Sequence, residues 1–159
     1  MRALLVWCVL AVVETASAHP LVNRPAPAFA FANAVGGAPI RLGDHHGHVV
    51  VLEFWATWCG PCEITAEYLG KLQRKLGKAG VDVIGATNEE RAVVKKYLDE
   101  HPPEYAIGLD VDDAATRSYV ISGLPTIVLI DRTGTVREVL YGMPDDFDAF
   151  GAKVEQLAK

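Results

Sequence analysis

The sequence predicts an α/β fold in which helices flank a central mixed β-sheet. Two apolar runs rich in β-branched residues, residues 49–55 and Val81–Thr87, are typical of strands buried on both faces. A helical pattern follows each run, and this alternation favours parallel strands. Further on, two apolar segments flank the turn sequence "RTGT", which indicates an antiparallel hairpin and makes the sheet mixed.

An N-terminal β-hairpin extension is expected ahead of the first buried strand. Residues 28–32 and 39–42 are short apolar segments, and Gly36-Gly37 lies between them. Glycine pairs mark turns because they adopt backbone conformations that other residues avoid. We therefore expect these two segments to pair with each other.

The predicted helices have recognisable ends. The first begins near Cys62, keeps apolar residues three and four positions apart, and ends at Gly77. Asn88 is expected to cap the second helix, which has acidic residues in its first turn and stops at Pro102. The remaining predicted elements are an extended segment over 105–109, a small helix around 112–119, strands over 123–131 and 136–142, and a closing amphipathic helix that carries Phe147, Phe150, Val154 and Leu157 on one face.

Length and charge place limits on the function. A chain of 159 residues with half of them hydrophobic is long enough for one domain with a real core. Its net charge of -5 argues against nucleic acid or an anionic membrane surface as a partner.

Residues 1–18 have the pattern of a signal peptide. Arg2 precedes an apolar run over residues 3–13, and Ala16-Ser17-Ala18 fits the small-residue cleavage site. The run is too short to cross a bilayer as a helix, so we expect cleavage rather than a membrane tether. The mature domain is then residues 19–159, located in the periplasm or at the outer face of the cytoplasmic membrane.

Removal of the leader also removes Cys8, which leaves Cys59 and Cys62 as the cysteines of the mature domain. A disulfide that closes so short a loop constrains little of the unfolded chain, so the pair is better explained by chemistry than by stability. Cys59 is predicted at a helix N-terminus, where the helix dipole favours the thiolate. Cys59 would exchange with a target disulfide and Cys62 would resolve the mixed disulfide. A zinc site would need further ligands, and no second cysteine pair supplies them.

The segments "EFWATWCGPC" and "GLPTIVLID" together resemble the thioredoxin superfamily, and the match over most of the mature chain is similar to its TlpA-like exported branch. The resemblance implies a thioredoxin fold. It also implies a cis peptide bond at Pro125 beside the cysteines. The loop that holds this proline would offer backbone groups to an extended client. The implied client-binding residues are Trp58, Gly60, Pro61, Gly123, Leu124, Pro125 and Thr126.

Glu53 is the third predicted catalytic residue, beside the two cysteines. It interrupts an apolar strand, and burial there would raise its pKa toward neutrality. The resemblance implies that this acid exchanges protons with Cys62, although TlpA-like proteins often have asparagine at this point. The alternative interpretation is a carboxylate that reaches solvent at a sheet edge. Trp55 is expected to pack in the core.

No metal site is predicted. His45, His46 and His48 lie close together, but adjacent histidines in a loop are more often solvated turn residues. We expect no carboxylate or cysteine in position to complete a ligand set around them.

The sequence therefore predicts a thiol–disulfide oxidoreductase that works by dithiol–disulfide exchange and needs no cofactor beyond its redox-active Cys59–Cys62 disulfide. We expect a monomer that reduces client proteins, such as apocytochrome c, with electrons from a membrane thiol reductase. One alternative is a thiol peroxidase, although the Thr-x-x-Cys context of that class is not evident. The other is a copper carrier, but Met143 is the single methionine that the mature chain could offer to copper.

Overall fold

A computed structural model describes residues 19–159. The predicted signal peptide and Cys8 lie outside these residues. No helix within the described part of the chain is long and apolar enough to cross a membrane. The helices and strands are β1 (Ala30–Asn33), β2 (Ile40–Arg41), β3 (Val49–Phe54), α1 (Gly60–Leu76), β4 (Val81–Thr87), α2 (Arg91–Glu100), β5 (Ala106–Leu109), α3 (Ala114–Ser118), β6 (Thr126–Ile130), β7 (Val136–Tyr141) and α4 (Phe147–Leu157).

One seven-stranded sheet runs through the domain in the order β2-β1-β5-β4-β3-β6-β7. Strands β3, β4 and β5 are parallel, and the other pairs are antiparallel. The predicted mixed sheet is confirmed. The continuous apolar run of the first predicted strand reflects its place between β4 and β6, where all six residues of β3 are buried.

The helices cover both faces of this sheet. The connections β3–α1–β4 and β4–α2–β5 advance in the same direction across the sheet, so right-handed crossovers place α1 and α2 on one face. On this face Val51 of β3 packs in a cluster with residues of α1 and α4. On the opposite face Leu52 packs with Tyr119, which follows α3. Alternate residues of β3 therefore belong to different cores.

The N-terminal hairpin is present, and it forms one edge of the main sheet. Phe31 of β1 pairs with Ile40 of β2, so the two predicted segments do pair with each other. On its other side β1 pairs with β5 through Ala32 and Leu109. The extension thus covers the edge of β5 that would otherwise be open to solvent.

The predicted start of α2 was wrong. The helix begins at Arg91, its N-cap residue is Glu90, and it has neither a side-chain cap nor an acid in its first turn. Asn88 instead donates a hydrogen bond from Nδ2 to Asp113 Oδ1 at 2.8 Å. The physical reason lies in Glu89, whose carboxylate is bound to the turn after β3 and holds residues 88–90 out of the helix.

A carboxylate that the sequence pattern did not reveal lies beside two of the three histidines. Asp82 Oδ2 is hydrogen-bonded to Nδ1 of His45 at 2.7 Å and to Nδ1 of His48 at 2.8 Å. The parallel pairing of β3 with β4 brings Asp82 beside the loop before β3, although 34 residues or more separate them in sequence. Within residues 19–159, no three His, Cys, Asp or Glu side chains are arranged to hold a metal ion.

Candidate active site

The two cysteines lie at the start of α1, shortly after the end of β3. Cys59 is the N-cap residue of α1, and Cys62 lies in its first turn with its N–H donating to Cys59 O at 3.0 Å. The two Sγ atoms are bonded at 2.07 Å, so the structure shows the oxidised form. Pro61 fits the first turn because proline has no N–H to leave unpaired there.

The local electrostatics favour a reactive sulfur at position 59. The first N–H groups of a helix have no partners within the helix, and together with the dipole they stabilise a negative charge at its N-terminus. Helix α1 is 17 residues long and begins directly after Cys59. Cys59 is 6% exposed and Cys62 is 2% exposed, so Cys59 is the less buried of two buried cysteines.

An exposed surface surrounds the cysteine pair. Trp58 is 74% exposed, and Gly60 and Pro61 are also exposed. Trp55 is buried, as predicted, and its ring lies 5.6 Å from that of Tyr97 on α2. Trp58 is thus an exposed apolar side chain directly beside Cys59, which fits the docking surface implied by the resemblance.

The loop before β6 lies next to this surface. The Leu124–Pro125 peptide bond is cis, as the resemblance implies. Thr126 Oγ1 donates to Gly123 O and Gly142 N donates to Pro125 O, each at 2.7 Å. Leu124 packs against the cluster that contains both cysteines, and its own N–H and C=O make no hydrogen bond to any described residue. Leu124 is therefore the residue of the loop whose backbone remains available to an incoming chain.

Glu53 is buried in the middle of the sheet. It lies between Gly85 of β4 and Ile127 of β6, and it is fully buried. The alternative of a carboxylate that reaches solvent at a sheet edge is therefore wrong. Burial raises the pKa of Glu53 to about 8, and a hydrogen bond from Tyr105 to Oε2 at 2.9 Å opposes this rise. Oε1 has no hydrogen-bond partner among the described residues.

Sequence reasoning missed two residues that contact the predicted site. Tyr105 binds Glu53 across 52 positions of sequence. Glu89 accepts hydrogen bonds from Thr57 N and Thr57 Oγ1, each at 2.7 Å, and so holds the turn that leads to Trp58 and the cysteines. Neither contact lies within a local motif, so no signal in the sequence reveals it.

Comparison with known proteins places the chain in a family. Residues 21–152 match the Redoxin family. This chain belongs to that family. Among its relatives is the thiol-disulfide oxidoreductase ResA of Geobacillus kaustophilus, 33% identical over 76% of this chain and 70% of the relative. The protein of the same name in Bacillus anthracis is 32% identical over the same shares.

Two solved structures are similar to this chain in fold and in sequence. A protein described as thiol:disulfide interchange protein DsbE from Chlorobium tepidum is 31% identical, has a TM-score of 0.79, and is matched over 85% of this chain and 96% of its own. The thioredoxin domain of a thiol-disulfide oxidoreductase from Bacteroides vulgatus is 25% identical, with a TM-score of 0.75 over 87% and 98% of the two chains. The predicted thioredoxin fold and the TlpA-like resemblance are confirmed, and the chain is a thiol–disulfide oxidoreductase.

Proposed function

We propose that this oxidoreductase works outside the cytoplasm and reduces disulfides in client proteins, with apocytochrome c, whose disulfide it would convert to two thiols, as one client class. The observation that carries the proposal is the position of the Cys59–Cys62 disulfide beside the unpaired backbone of Leu124. A redox pair next to free N–H and C=O groups suits a protein client better than a small molecule.

An extended client segment can pair with Leu124 as an added strand. Hydrogen bonds to its N–H and C=O would align the segment, and Trp58 would contact the apolar side chains near the client disulfide. The hydrogen bonds to Gly123 O and Pro125 O hold the residues on both sides of Leu124 and so keep its backbone in one orientation. Binding of this kind recognises the backbone of the client rather than its side chains, so clients of different sequence can bind.

The exchange itself proceeds in two balanced steps. The Cys59 thiolate attacks one sulfur of the client disulfide, a mixed disulfide forms, and the other client sulfur leaves as a thiolate. Cys62 then gives its proton to the Glu53 carboxylate and attacks the sulfur of Cys59. The Cys59–Cys62 bond forms, and the first client sulfur leaves. The client gains two electrons, and the pair loses two.

The direction of electron transfer and the location of the protein are supported by separate observations. Gly60-Pro61 between the cysteines is the dipeptide of reducing thioredoxins, whose potential of about -270 mV is far below the -120 mV or so of a strong exported oxidant. The leader pattern over residues 1–18 supports export. An exported reductant needs electrons from within the cell, and a membrane thiol reductase would supply them by the same exchange.

A trapping experiment tests this function. Cys62→Ala removes the resolving thiol, so Cys59 should remain joined to its clients when the full chain is expressed in its own host. We expect adducts that a reducing agent releases, and mass spectrometry of the released proteins identifies the clients. Cys59→Ala is the matched control and should form few adducts.

Three results would contradict the proposal. Equal trapping by the two variants would show that Cys59 is not the attacking sulfur. Rapid consumption of added peroxide by the wild-type chain, with no adduct to any protein in Cys62→Ala, would instead favour the thiol peroxidase. Adducts confined to the cytoplasmic fraction would refute export.

A further inference from the structure

Tyr105 lies between the buried Glu53 carboxyl and a cavity open to solvent. The cavity has a volume of about 280 Å³ and is lined by residues of both α1 and α2. Tyr105 is part of its wall and donates to Glu53 Oε2 at 2.9 Å, whereas Glu53 itself does not line it. The wall also includes Cys62, Glu63 and Tyr97.

The position of the Tyr105 ring depends on a glycine in the neighbouring strand. A Cβ added at Gly85 would lie 2.8 Å from Ile107 Cδ1, 3.0 Å from Trp55 Nε1 and 3.2 Å from Tyr105 Cε2. Gly85 pairs with Glu53 in the register of β3 and β4, so the two share one face of the sheet. Because Gly85 has no side chain, the Tyr105 ring can cross β4 and reach Glu53.

We infer that Tyr105 is a positioning residue for Glu53: its hydroxyl holds Oε2, leaves Oε1 to exchange the proton of Cys62, and sets the pH range of the resolving step. This inference rests on the proposed role of Glu53 as proton acceptor. A hydroxyl that donates to one carboxylate oxygen stabilises the ionised acid and fixes the orientation of the other oxygen.

Among the described residues, Tyr105 is the one side chain that makes a hydrogen bond to the Glu53 carboxyl. From α2, Tyr97 approaches the pair, and α1 contributes Cys62 and Glu63 to the same cavity. The neighbouring strands offer Gly85 and Ile127, which do not titrate. The pKa of Tyr105 is raised well above its usual value by burial and by Glu53, so the hydroxyl keeps its proton and remains a donor.

The test uses Tyr105→Phe in the oxidised protein, where the cysteines do not titrate. Carbon-13 NMR of labelled glutamate carboxyls follows Glu53, whose signal is assigned by its loss in Glu53→Gln. Loss of a hydrogen bond to a charged group should move the Glu53 midpoint upward by about one pH unit. The pH profile of insulin reduction by the reduced protein should move in the same direction.

A matched control removes a different buried tyrosine hydroxyl. Tyr119 lies on the other face of the sheet and donates to Pro27 O at 2.7 Å. Tyr119→Phe should leave the Glu53 midpoint and the pH profile unchanged. A second variant avoids loss of packing: 3-fluorotyrosine at position 105 is a stronger donor and should move the midpoint downward.

The outcomes separate this inference from the proposed function. If Glu53→Gln leaves the rate of exchange and its pH profile unchanged, Glu53 has no part in the reaction. If Glu53→Gln changes both while Tyr105→Phe and the fluorinated tyrosine leave the midpoint in place, Glu53 acts without Tyr105 and the inference is overturned. Should Tyr105→Phe fail to fold, the fluorinated variant alone decides.

Discussion

Among single residues, Glu53 shows the strongest conflict between burial and charge. An acid with a pKa near 8 in the folded state and 4.5 in the unfolded state binds its proton more tightly when folded. The stability that comes from the protonated carboxyl is therefore complete below about pH 4.5 and is lost as the pH rises toward 8. A protein that retains such a group at neutral pH gives up stability to keep a proton acceptor inside the sheet.

We expect Glu53→Gln to unfold at higher urea concentration than the wild type, by a margin that grows between pH 5 and pH 8. Glutamine stays neutral and its amide oxygen can accept the Tyr105 bond, so the gain should reach roughly 4 kcal/mol above pH 8. Equilibrium urea unfolding of the oxidised proteins at pH 5, 6, 7, 8 and 9 measures it.

A surface acid provides the control for this comparison. The pKa of Glu67 is lowered by the hydrogen bond from Lys71, so its charge does not change between pH 5 and 9. The stability difference between Glu67→Gln and the wild type should stay constant over that range. Parallel curves for Glu53→Gln and the wild type would show that Glu53 is already ionised at pH 5 in the folded protein.

The predictability of the site differs from residue to residue. Glu53 could be singled out because one acid in an otherwise apolar strand is visible in the sequence. Cys59 and Cys62 form a local motif whose position at a helix start follows from the strand before it. Tyr105 and Glu89 could not be found, because their contacts join positions 52 and 32 residues apart and depend on sheet register.

At the scale of elements, the end of β4 supports the turn between β3 and α1. Thr57 donates to Glu89 from both its backbone and its hydroxyl, and Thr87 Oγ1 adds a bond to the same carboxylate at 3.3 Å. This contact also explains the late start of α2, because Glu89 cannot both bind Thr57 and enter the first helical turn. The local pattern predicted a cap at Asn88, but the tertiary contact between Glu89 and Thr57 determines where the helix starts. A sequence pattern does not reveal such a contact.

Glu89→Ala should lower both the free energy of unfolding and the rate of disulfide exchange. It leaves the partly buried Thr57 N–H and hydroxyl without their acceptor, which costs about 1–3 kcal/mol. The turn that holds Trp58 becomes less ordered, so insulin reduction should slow. Urea unfolding and the insulin assay measure the two effects.

Glu90→Ala is the control, since Glu90 is exposed and its side chain makes no capping bond. Equal effects of the two variants would contradict a supporting role for Glu89.

At the scale of the whole molecule, the strand order determines where the site lies, because β4 and β5 are added on one side of β3 and β6 and β7 on the other. The first crossovers advance from β3 to β5 on one face, and the chain then returns past α3 on the other face to add β6 beside β3. The cysteines and the cis proline therefore meet at the same end of neighbouring strands, because Phe54 pairs with Thr126. Apolar runs and turn residues predicted the strands themselves. The pairing of Asp82 with the histidines and the docking of β1 on β5 depend on strand order, which those local patterns do not contain.

The attachment of the N-terminal hairpin to the rest of the sheet depends on Gly108 in β5. A Cβ at this position would lie 2.5 Å from Phe31 Cβ and 2.7 Å from Phe31 Cγ. Phe31 is 2% exposed and stacks on Phe29 with ring centroids 4.4 Å apart, so it has little room to move. Gly108→Ala should thus force β1 away from β5 and lower the free energy of unfolding by about 1–3 kcal/mol.

The same substitution should leave disulfide exchange unchanged at temperatures where the variant is folded, because β3, α1 and β6 hold the site and β1 does not contact them in the sheet. Hydrogen exchange should quicken first at the amides of β1. Gly43→Ala is the matched control, since a Cβ there meets no atom within 4 Å. Equal free energies of unfolding for the two variants would show that Phe31 can move away from residue 108 without loss of stability. A loss of exchange activity in folded Gly108→Ala would show instead that the hairpin shapes the site although β1 lies three strands away from β3.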